Sequence, residues 1–527
     1  MSGFAKGELR VTYTTSAADM GKIHEHFDKG LERIKSQLGL RYPLVINGRE
    51  IESKDPPIID VSPIDTDLVL GEFASATVAH VGQAIDAAYA HRREWEKLGW
   101  QKRVAIMRRA ADLVREQKFE LAALMSLEVG KSRMESLGDA EESADLMDYY
   151  AWQMENAEGF VQKMNKLTPM EDNTDILRPY GVFACIAPFN FPLALAAGMS
   201  SGALVAGNTV VFKPAQDTPF TGFRLFQIYR EAGVPAGVIH FLSGRGSTIG
   251  DALWRNPKTG GVVFTGSKDV GMRIFKEFSD DWVRPCLMEL GGKNPCVVMD
   301  SADLDAAAEG IVRSAFGLQN QKCSACSRVY VHRSVEEELT ALILDETGAL
   351  RKGDPTERDV FFGPVINETA VKTFERAVTL AKKDGTILLG GARLKGGVFD
   401  KGHFVEPTVV SAPLSSDLFT IEWFVPVLAI GVIDTLDQAV AECNRAEYGL
   451  TAGIFSKKPA EIEYFFDEVE CGVTYANKRT GATTGAWPGA QPFCGWKGSG
   501  GSGKGGCGPY YVSQFMREQS RTVIVED

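Results

Sequence analysis

Two hydrophobic rhythms alternate along this chain. Over residues 77 to 165 apolar positions recur at helical spacing, with Val81, Ile85 and Ala88 on one face and Ile106, Ala110 and Leu113 on another. From Val182 the pattern changes to short apolar runs separated by helical stretches. Val182–Ala187, Thr209–Phe212, Val238–Leu242 and Gly261–Phe264 read as strands, with Leu193–Val205, Phe220–Glu231 and Thr248–Trp254 as the helices between them. A second such block begins near Asp303, with helices at Ala306–Phe316, Val335–Leu344 and Leu436–Ala446 and strands at Ser327–His332 and Val427–Val432. This alternation predicts an α/β fold, in which helices cover both faces of a parallel sheet and ligands lie beyond the carboxyl ends of its strands. Tyr42–Glu52 reads as a hairpin with Asn47-Gly48 at its turn, and Asn173–Tyr180 as an exposed hairpin or arm.

Composition narrows the class. The 527 residues are 44% hydrophobic and 24% charged, as in a soluble globular chain of two or three domains. The net charge is −12 and no basic block stands out, which argues against nucleic acid or anionic lipid as a partner. No residue between Gly181 and Phe212 is charged, yet Pro188, Pro192, Gly198, Gly202 and Gly207 interrupt the run, so it does not read as a membrane span. No apolar signal core opens the chain, and the cytoplasm or an organelle matrix is the expected compartment. Nine cysteines, odd in number and irregular in spacing, do not suggest a disulfide framework. Cys323 and Cys326 lack the second pair that a zinc site needs, so no metal is expected. Gly498–Gly503 matches GxGxxG literally but opens no βαβ unit; it reads as a flexible loop approached closely by other backbone.

Three residues carry candidate chemistry. Cys323 lies between a predicted helix and a strand, where a thiol can face a cleft, and Lys322 beside it would favour the thiolate. The seven histidines are scattered and no protease signature surrounds the thiol, so a carboxylate base fits better. Glu289 ends an apolar strand in Met288-Glu-Leu-Gly-Gly-Lys-Asn294, where apolar surroundings would raise its pKa toward that of a neutral-pH base. Asn190, in Pro188-Phe-Asn-Phe-Pro192, falls at the carboxyl end of the first strand of the parallel sheet, where its amide can donate to a developing oxyanion. Taken singly, each has a plainer reading: a buried thiol, a loop-capping Glu, a helix-capping Asn.

Taken in order, Phe189-Asn-Phe-Pro192, Phe212-Lys-Pro-Ala215, Phe264-Thr-Gly-Ser267, Glu289-Leu-Gly-Gly-Lys293 and Lys322-Cys-Ser324 resemble the motifs of the aldehyde dehydrogenase superfamily, roughly from residue 40 to the end. The resemblance implies that Cys323 adds to an aldehyde, that Asn190 and the Cys323 N–H form the oxyanion hole, and that Glu289 activates the water that hydrolyses the thioester. It implies NAD, with NADP possible, held by Ala187, Pro188, Phe189, Lys213, Gln216, Gly246, Gly266, Ser267, Leu290, Glu422 and Phe424. Gln216 stands where many members carry a Glu that repels a 2′-phosphate, which favours tolerance of NADP, although Asp217 could restore the repulsion. Val425 stands where the family usually has Gly, reducing backbone freedom at that turn. The implied division is a leader and hairpin (1–60), a Rossmann-like NAD(P)-binding domain (61–172 and 181–300), a β oligomerisation arm (173–180 and 509–527) and a second α/β, catalytic domain (301–508). A homodimer or higher homo-oligomer follows from the arm.

Within the superfamily, Pro188–Pro192, Gln321–Ala325, Thr480-Gly-Ala482 and Gln491-Pro-Phe493 resemble the glutamate-γ-semialdehyde (1-pyrroline-5-carboxylate) dehydrogenases of proline catabolism. The substrate carboxylate is then expected on Ser324 and the N–H groups of Gly481 and Ala482, with Lys322 nearby and Phe191 and Phe493 flanking the aliphatic chain. Asp139 is expected near the substrate ammonium. Residues 483–490 are longer than that subfamily's usual link, and Cys494 replaces a common Gly. The alternatives are another semialdehyde or aliphatic aldehyde, transfer of the acyl group to coenzyme A, and a catalytically silent binding protein. The retained Glu289 speaks against acyl transfer to coenzyme A, and the intact Cys323, Glu289 and Asn190 against silence.

Overall fold

The computed structural model describes residues 20–501 and 503–525. Residues 1–19 of the expected leader, Ser502 of the glycine-rich tail and the last two residues of the expected arm lie outside the described residues. The helices that matter for the site are α1 (Met20–Lys35), α2 (Val78–Lys97), α3 (Trp100–Val129), α4 (Arg133–Asn156), α5 (Ala194–Val205), α6 (Pro219–Glu231), α7 (Gly246–Arg255), α8 (Lys268–Phe278), α9 (Leu304–Phe316) and α10 (Glu336–Ala349). Local chemistry sets their ends. Thr77 caps α2 by accepting the His80 N–H, and α3 stops at Gly130, which takes the left-handed conformation (φ 81°) that only glycine adopts freely.

Five parallel strands form the first sheet in the spatial order Cys286–Glu289, Thr259–Thr265, Val182–Ile186, Thr209–Lys213, Ile239–Phe241. The hairpin Leu44–Ile46 and Arg49–Ile51 adds two antiparallel strands at one edge. Asn47 (φ 52°) and Gly48 (φ 70°) both turn through positive φ, as the two-residue hairpin loop read from the sequence requires. The sheet is buried on both faces with a two-residue period. Val182, Ala184 and Ile186 pack in a cluster with α2, α7 and α8, whereas Phe183 and Cys185 pack with α3, α4, α5 and α6. The strand order reverses between Val182–Ile186 and Thr259–Thr265, so a crevice opens at their carboxyl ends, where Ala187–Asn190 and Gly266-Ser267 lie.

The second sheet runs Thr386–Leu389, Thr408–Ser411, Val427–Ile433, Cys326–His332, Asn294–Val298, Thr451–Phe455, Val473–Ala476, parallel except at its first strand. Asn294–Val298 already belongs to it, so the change of sheet falls within the Leu290–Lys293 link rather than at residue 300. That link joins the carboxyl end of one sheet to the amino end of the other, and the site lies at this junction. The expected arm is one strand of a third sheet: Glu171–Pro179 pairs along its whole length with Met516–Ile524, with Val161–Lys163 on its other side. No helix among the described residues is long and apolar enough to cross a membrane. Residues 181–212 form strand, helix and strand, as the interrupted apolar run suggested.

Candidate active site

Cys323 sits three residues before the strand Cys326–His332, and the chain reaches it through an unusual turn. Leu318, Gln319 and Asn320 all have positive φ (49°, 53° and 61°), a conformation that costs non-glycine residues about 1–2 kcal/mol each. Side chains hold that turn: Asn320 Nδ2 donates to the carbonyls of Ala315 and Cys326, and Gln321 Oε1 accepts the Ile366 N–H. Asn294, to which sequence reasoning gave no role, binds the nucleophile's own segment, donating to the carbonyls of Cys323 (2.7 Å) and Ala325 (2.9 Å). Gly292 lets this happen, because a Cβ there would stand 2.1 Å from the Cys323 carbonyl oxygen.

Asn190 is buried, and its Nδ2 donates at 2.9 Å to the carbonyl of Gln321, two residues before Cys323. An amide nitrogen carries two hydrogens, and this bond uses one of them; Asn190 does not itself line the cavity that Cys323 lines. The loop that presents Asn190 is braced from behind. Asp139 Oδ1 accepts the Ala194 N–H that begins α5, its Oδ2 takes the Lys131 ammonium at 2.6 Å, and that ammonium lies 3.7 Å from the centre of the Phe191 ring. Asp139 is therefore a buried brace and not the expected partner of a substrate ammonium.

Glu289 ends its strand beside the glycine-rich tail. Leu290 N–H donates to the Ser499 carbonyl at 2.9 Å, Gly501 N–H to the Met288 carbonyl at 3.2 Å, and the Gly506 N–H reaches the Glu289 carboxylate. The tail is thus a backbone clamp on the Glu289 strand. Burial pushes the Glu289 carboxyl up to about 8, against a smaller opposing effect from the Gly506 N–H, and Oε2 has no hydrogen-bond donor among the described residues. Burial also raises the Cys323 thiol well above its ordinary value, followed by the Glu289 and Glu422 charges. Lys322 does not offset this. Its ammonium pairs with Glu135 Oε1 at 2.7 Å, on α4, instead of serving the thiol as its neighbouring position suggested.

Cys323, Glu289, Lys322, Ser324, Phe191 and Phe493 line one cavity of about 640 Å³. Gly481 and Ala482 do not line it. Ala482 is buried and its N–H donates to the Gly310 carbonyl at 2.9 Å, while the Gly481 N–H goes to Lys478. The wall is formed instead by the second Thr-Gly-Ala triplet, Thr484, Gly485 and Ala486. Lys478 Nζ donates to the carbonyls of Thr484 (2.6 Å) and Gly485 (3.2 Å), and the Ala486 N–H reaches the Tyr475 hydroxyl. Counted from the second triplet, the link to Gln491-Pro-Phe493 is no longer extended. Glu135 and Glu142 also line the cavity, and Glu135 Oε2 is buried without a donor among the described residues.

The dinucleotide candidates gather at the carboxyl end of the first sheet. Ala187 pairs with Lys213 by its backbone, and Pro188 and Phe189 follow on the loop to Asn190. Lys213 is buried, and its ammonium, lowered to about 8 by burial, donates only to the Pro214 carbonyl at 3.0 Å among the described residues. A buried cation that makes no ion pair among the described residues, with the Asp217 charge only opposing its lowering, fits an arriving ribose. Gln216 is exposed and Asp217 accepts from the Asn367 amide at 3.1 Å. Gly246 begins α7, and Ser267 precedes α8 with its hydroxyl uncommitted to capping, a helix start that suits a phosphate. Gly266 spends its N–H on the Glu289 carbonyl, and Leu290 is buried. Glu422 Oε1 accepts the Gly292 N–H at 2.8 Å, and burial raises that carboxyl to about 7. Phe424 packs edge-on against Phe189 at 5.9 Å, and it is Phe424 itself, at φ 56°, that takes the strained conformation, so Val425 needs no glycine-like freedom.

A thiol and a raised carboxyl in one cavity, with a buried amide donor tied to the nucleophile's segment and a dinucleotide crevice beside them, define a thiol-dependent oxidoreductase site. The family profile for the aldehyde dehydrogenase family matches residues 51–520, and the chain belongs to that family. It is 37% identical over 506 residues to the 1-pyrroline-5-carboxylate dehydrogenase of Bacillus cytotoxicus, spanning 95% of this chain and 96% of that protein. It is 36% identical over 503 residues to the protein of the same name from a Geobacillus species, spanning 94% and 95%. The crystal structure of 1-pyrroline-5-carboxylate dehydrogenase from Thermus with bound NAD superposes with a TM-score of 0.92 at 32% identity, covering 99% of both chains.

Proposed function

We propose that this protein oxidises L-glutamate γ-semialdehyde to L-glutamate with NAD, through a thiohemiacetal and a thioester on Cys323. The observation that carries the reading is that Cys323, Glu289, Ser324 and the Thr484–Ala486 turn line one cavity. Cys323 Sγ attacks the aldehyde carbon, and the oxyanion that forms is met by the second N–H of Asn190 Nδ2 and by the Cys323 N–H. A neutral aldehyde is a poor hydride donor, whereas its oxyanion adduct is a good one. A nicotinamide dinucleotide, when bound, supplies the hydride acceptor; Lys213 and Glu422 would hold its two riboses and the start of α8 its pyrophosphate. Glu289 then takes a proton from the water that attacks the thioester, releasing the carboxylate and the thiol.

The substrate's own carboxylate is assigned to the Ser324 hydroxyl and the Gly485 N–H, which can satisfy an anion without a full ion pair. Its ammonium is assigned to Glu135, whose second oxygen lacks a donor among the described residues. The test is a panel of aldehydes followed by the absorbance of reduced cofactor. Glutamate semialdehyde is expected to exceed succinate semialdehyde and hexanal in kcat/KM by roughly a hundredfold, the effect of leaving one buried polar group unpaired. Equal rates across the panel would overturn the substrate assignment. With Gln216 uncharged and Asp217 tied to Asn367, kcat/KM for NADP is expected within about tenfold of that for NAD, about one charge interaction's worth.

A further inference from the structure

A buried pair of carboxyl groups lies outside the reaction just described. Glu128, in the last turn of α3, and Asp60, in the strand Ile58–Val61, are both almost fully buried and hydrogen-bonded to one another. Two carboxylates cannot share such a bond without a proton, and Asp60 Oδ2 accepts from no donor among the described residues. Glu128 is the acceptor of the pair. Its Oε1 takes the Phe220 N–H at 2.7 Å, and its Oε2 takes the Thr221 N–H at 3.0 Å and the Thr221 hydroxyl. These are first-turn donors of α6. The residue in the capping position, Thr218, makes no side-chain cap, and its hydroxyl is buried without a partner among the described residues. A side chain some ninety positions away in the chain thus performs the capping.

The first turn of α6 is in direct contact with the turn assigned to the cofactor's adenosine end. A Cβ on Gly222 would stand 2.5 Å from Pro214 Cβ, so the helix and Pro214 touch with no slack. The Pro214 carbonyl in turn holds Lys213 Nζ at 3.0 Å. We propose that Glu128 is a positioning residue for the adenosine end of the dinucleotide, and that the single proton it shares with Asp60 keeps it in place. Loss of that proton sets two buried negative charges against each other, releases the start of α6, and moves Pro214 and Lys213 with it.

The sign follows from the environment. Burial raises the Asp60 carboxyl well above the usual range, with further contributions from Glu128 and Asp217, and burial raises Glu128 to about 7. The proton is therefore present at low and neutral pH and lost as pH rises. The other charged or titratable groups around the pair are Asp217 on the adenosine turn, Tyr42 on the strand Leu40–Tyr42, Arg224 on α6, and Lys213, which faces Asp217.

This inference rests on the reading that the Lys213 turn holds the dinucleotide, and the experiment separates the two. The Kd of NAD is measured by protein fluorescence from neutral to alkaline pH, with KM and kcat alongside, for the wild type, Asp60→Asn and Glu128→Gln. An Asn at 60 still donates to Glu128 and cannot lose a proton. The expected result is a wild-type Kd that rises roughly tenfold toward alkaline pH, one pKa unit's worth of coupling, and a shallower rise in Asp60→Asn. Lys213 titrates in both proteins, so the difference between them reports the pair. Glu128→Gln is expected to raise the Kd and KM for NAD at every pH with little change in kcat. Parallel pH curves for wild type and Asp60→Asn would overturn the proposal even if Glu128→Gln failed to fold. A wild type that bound no NAD at all would overturn the reading beneath it.

Discussion

A carboxyl raised to about 8 is protonated for much of its time at neutral pH, and in the proposed mechanism this property of Glu289 governs the second half of the reaction. Its base form accumulates as pH rises, so turnover limited by thioester hydrolysis should increase with pH through a midpoint near 8 and then level off. A steady-state pH profile of kcat checks this, and Glu289→Gln should remove the limb while still releasing a first burst of reduced cofactor. A flat wild-type profile would place the base elsewhere. Cys323 and Glu289, each singled out by a motif beside a predicted strand, are brought to one cavity, whereas Asn190 is placed beside the Cys323 segment by its bond to Gln321. The pairing of Lys322 with Glu135 was not legible, because it joins positions 187 apart in the chain. Adjacency in sequence suggested that Lys322 would serve Cys323; the side chain instead reaches across to α4.

At the scale of elements, buried carboxyl groups from α4 and α3 hold the starts of two helices that follow strands of the first sheet: Asp139 holds α5 and Glu128 holds α6. Both members of the Lys131–Asp139 pair are fully buried, so removing one strands the other. Lys131→Met should destabilise the fold by about 3–5 kcal/mol, and adding Asp139→Asn should recover much of that, because an Asn side-chain carbonyl can still accept the Ala194 N–H. Denaturant midpoints of the single and double variants measure it; equal loss in both would show that the charge pairing is not what matters. The strands from Val182 to Thr265 were legible because unbroken apolar runs with glycine and proline between them have few other solutions. The Thr480–Ala486 segment was not. It carries Thr-Gly-Ala twice within seven residues, and only the burial of Ala482 and its bond to Gly310 show which copy faces the cavity.

For the whole molecule, the three-stranded sheet that ends in Met516–Ile524 and the segments joined to it leave large apolar side chains in water: Val523 and Ile524 in the last strand, Val525 just after it, each above half exposed, and Leu167 in the link between the other two strands, at 91%. Apolar strand edges of this kind invite pairing with another copy. Removing residues 516–527 spares Val512 and Phe515 in the core and should yield a smaller assembly in light scattering, with the thermal transition of the subunit largely kept. An unchanged assembly would assign self-association to another surface.

All three scales meet in one covalent species. Glu289→Gln enzyme is mixed with glutamate semialdehyde and NAD, quenched, digested and analysed by mass spectrometry. The account predicts one glutamyl group in thioester linkage on the peptide that contains Cys323, formed only when NAD is present; no adduct, or an adduct on any other residue, would contradict it.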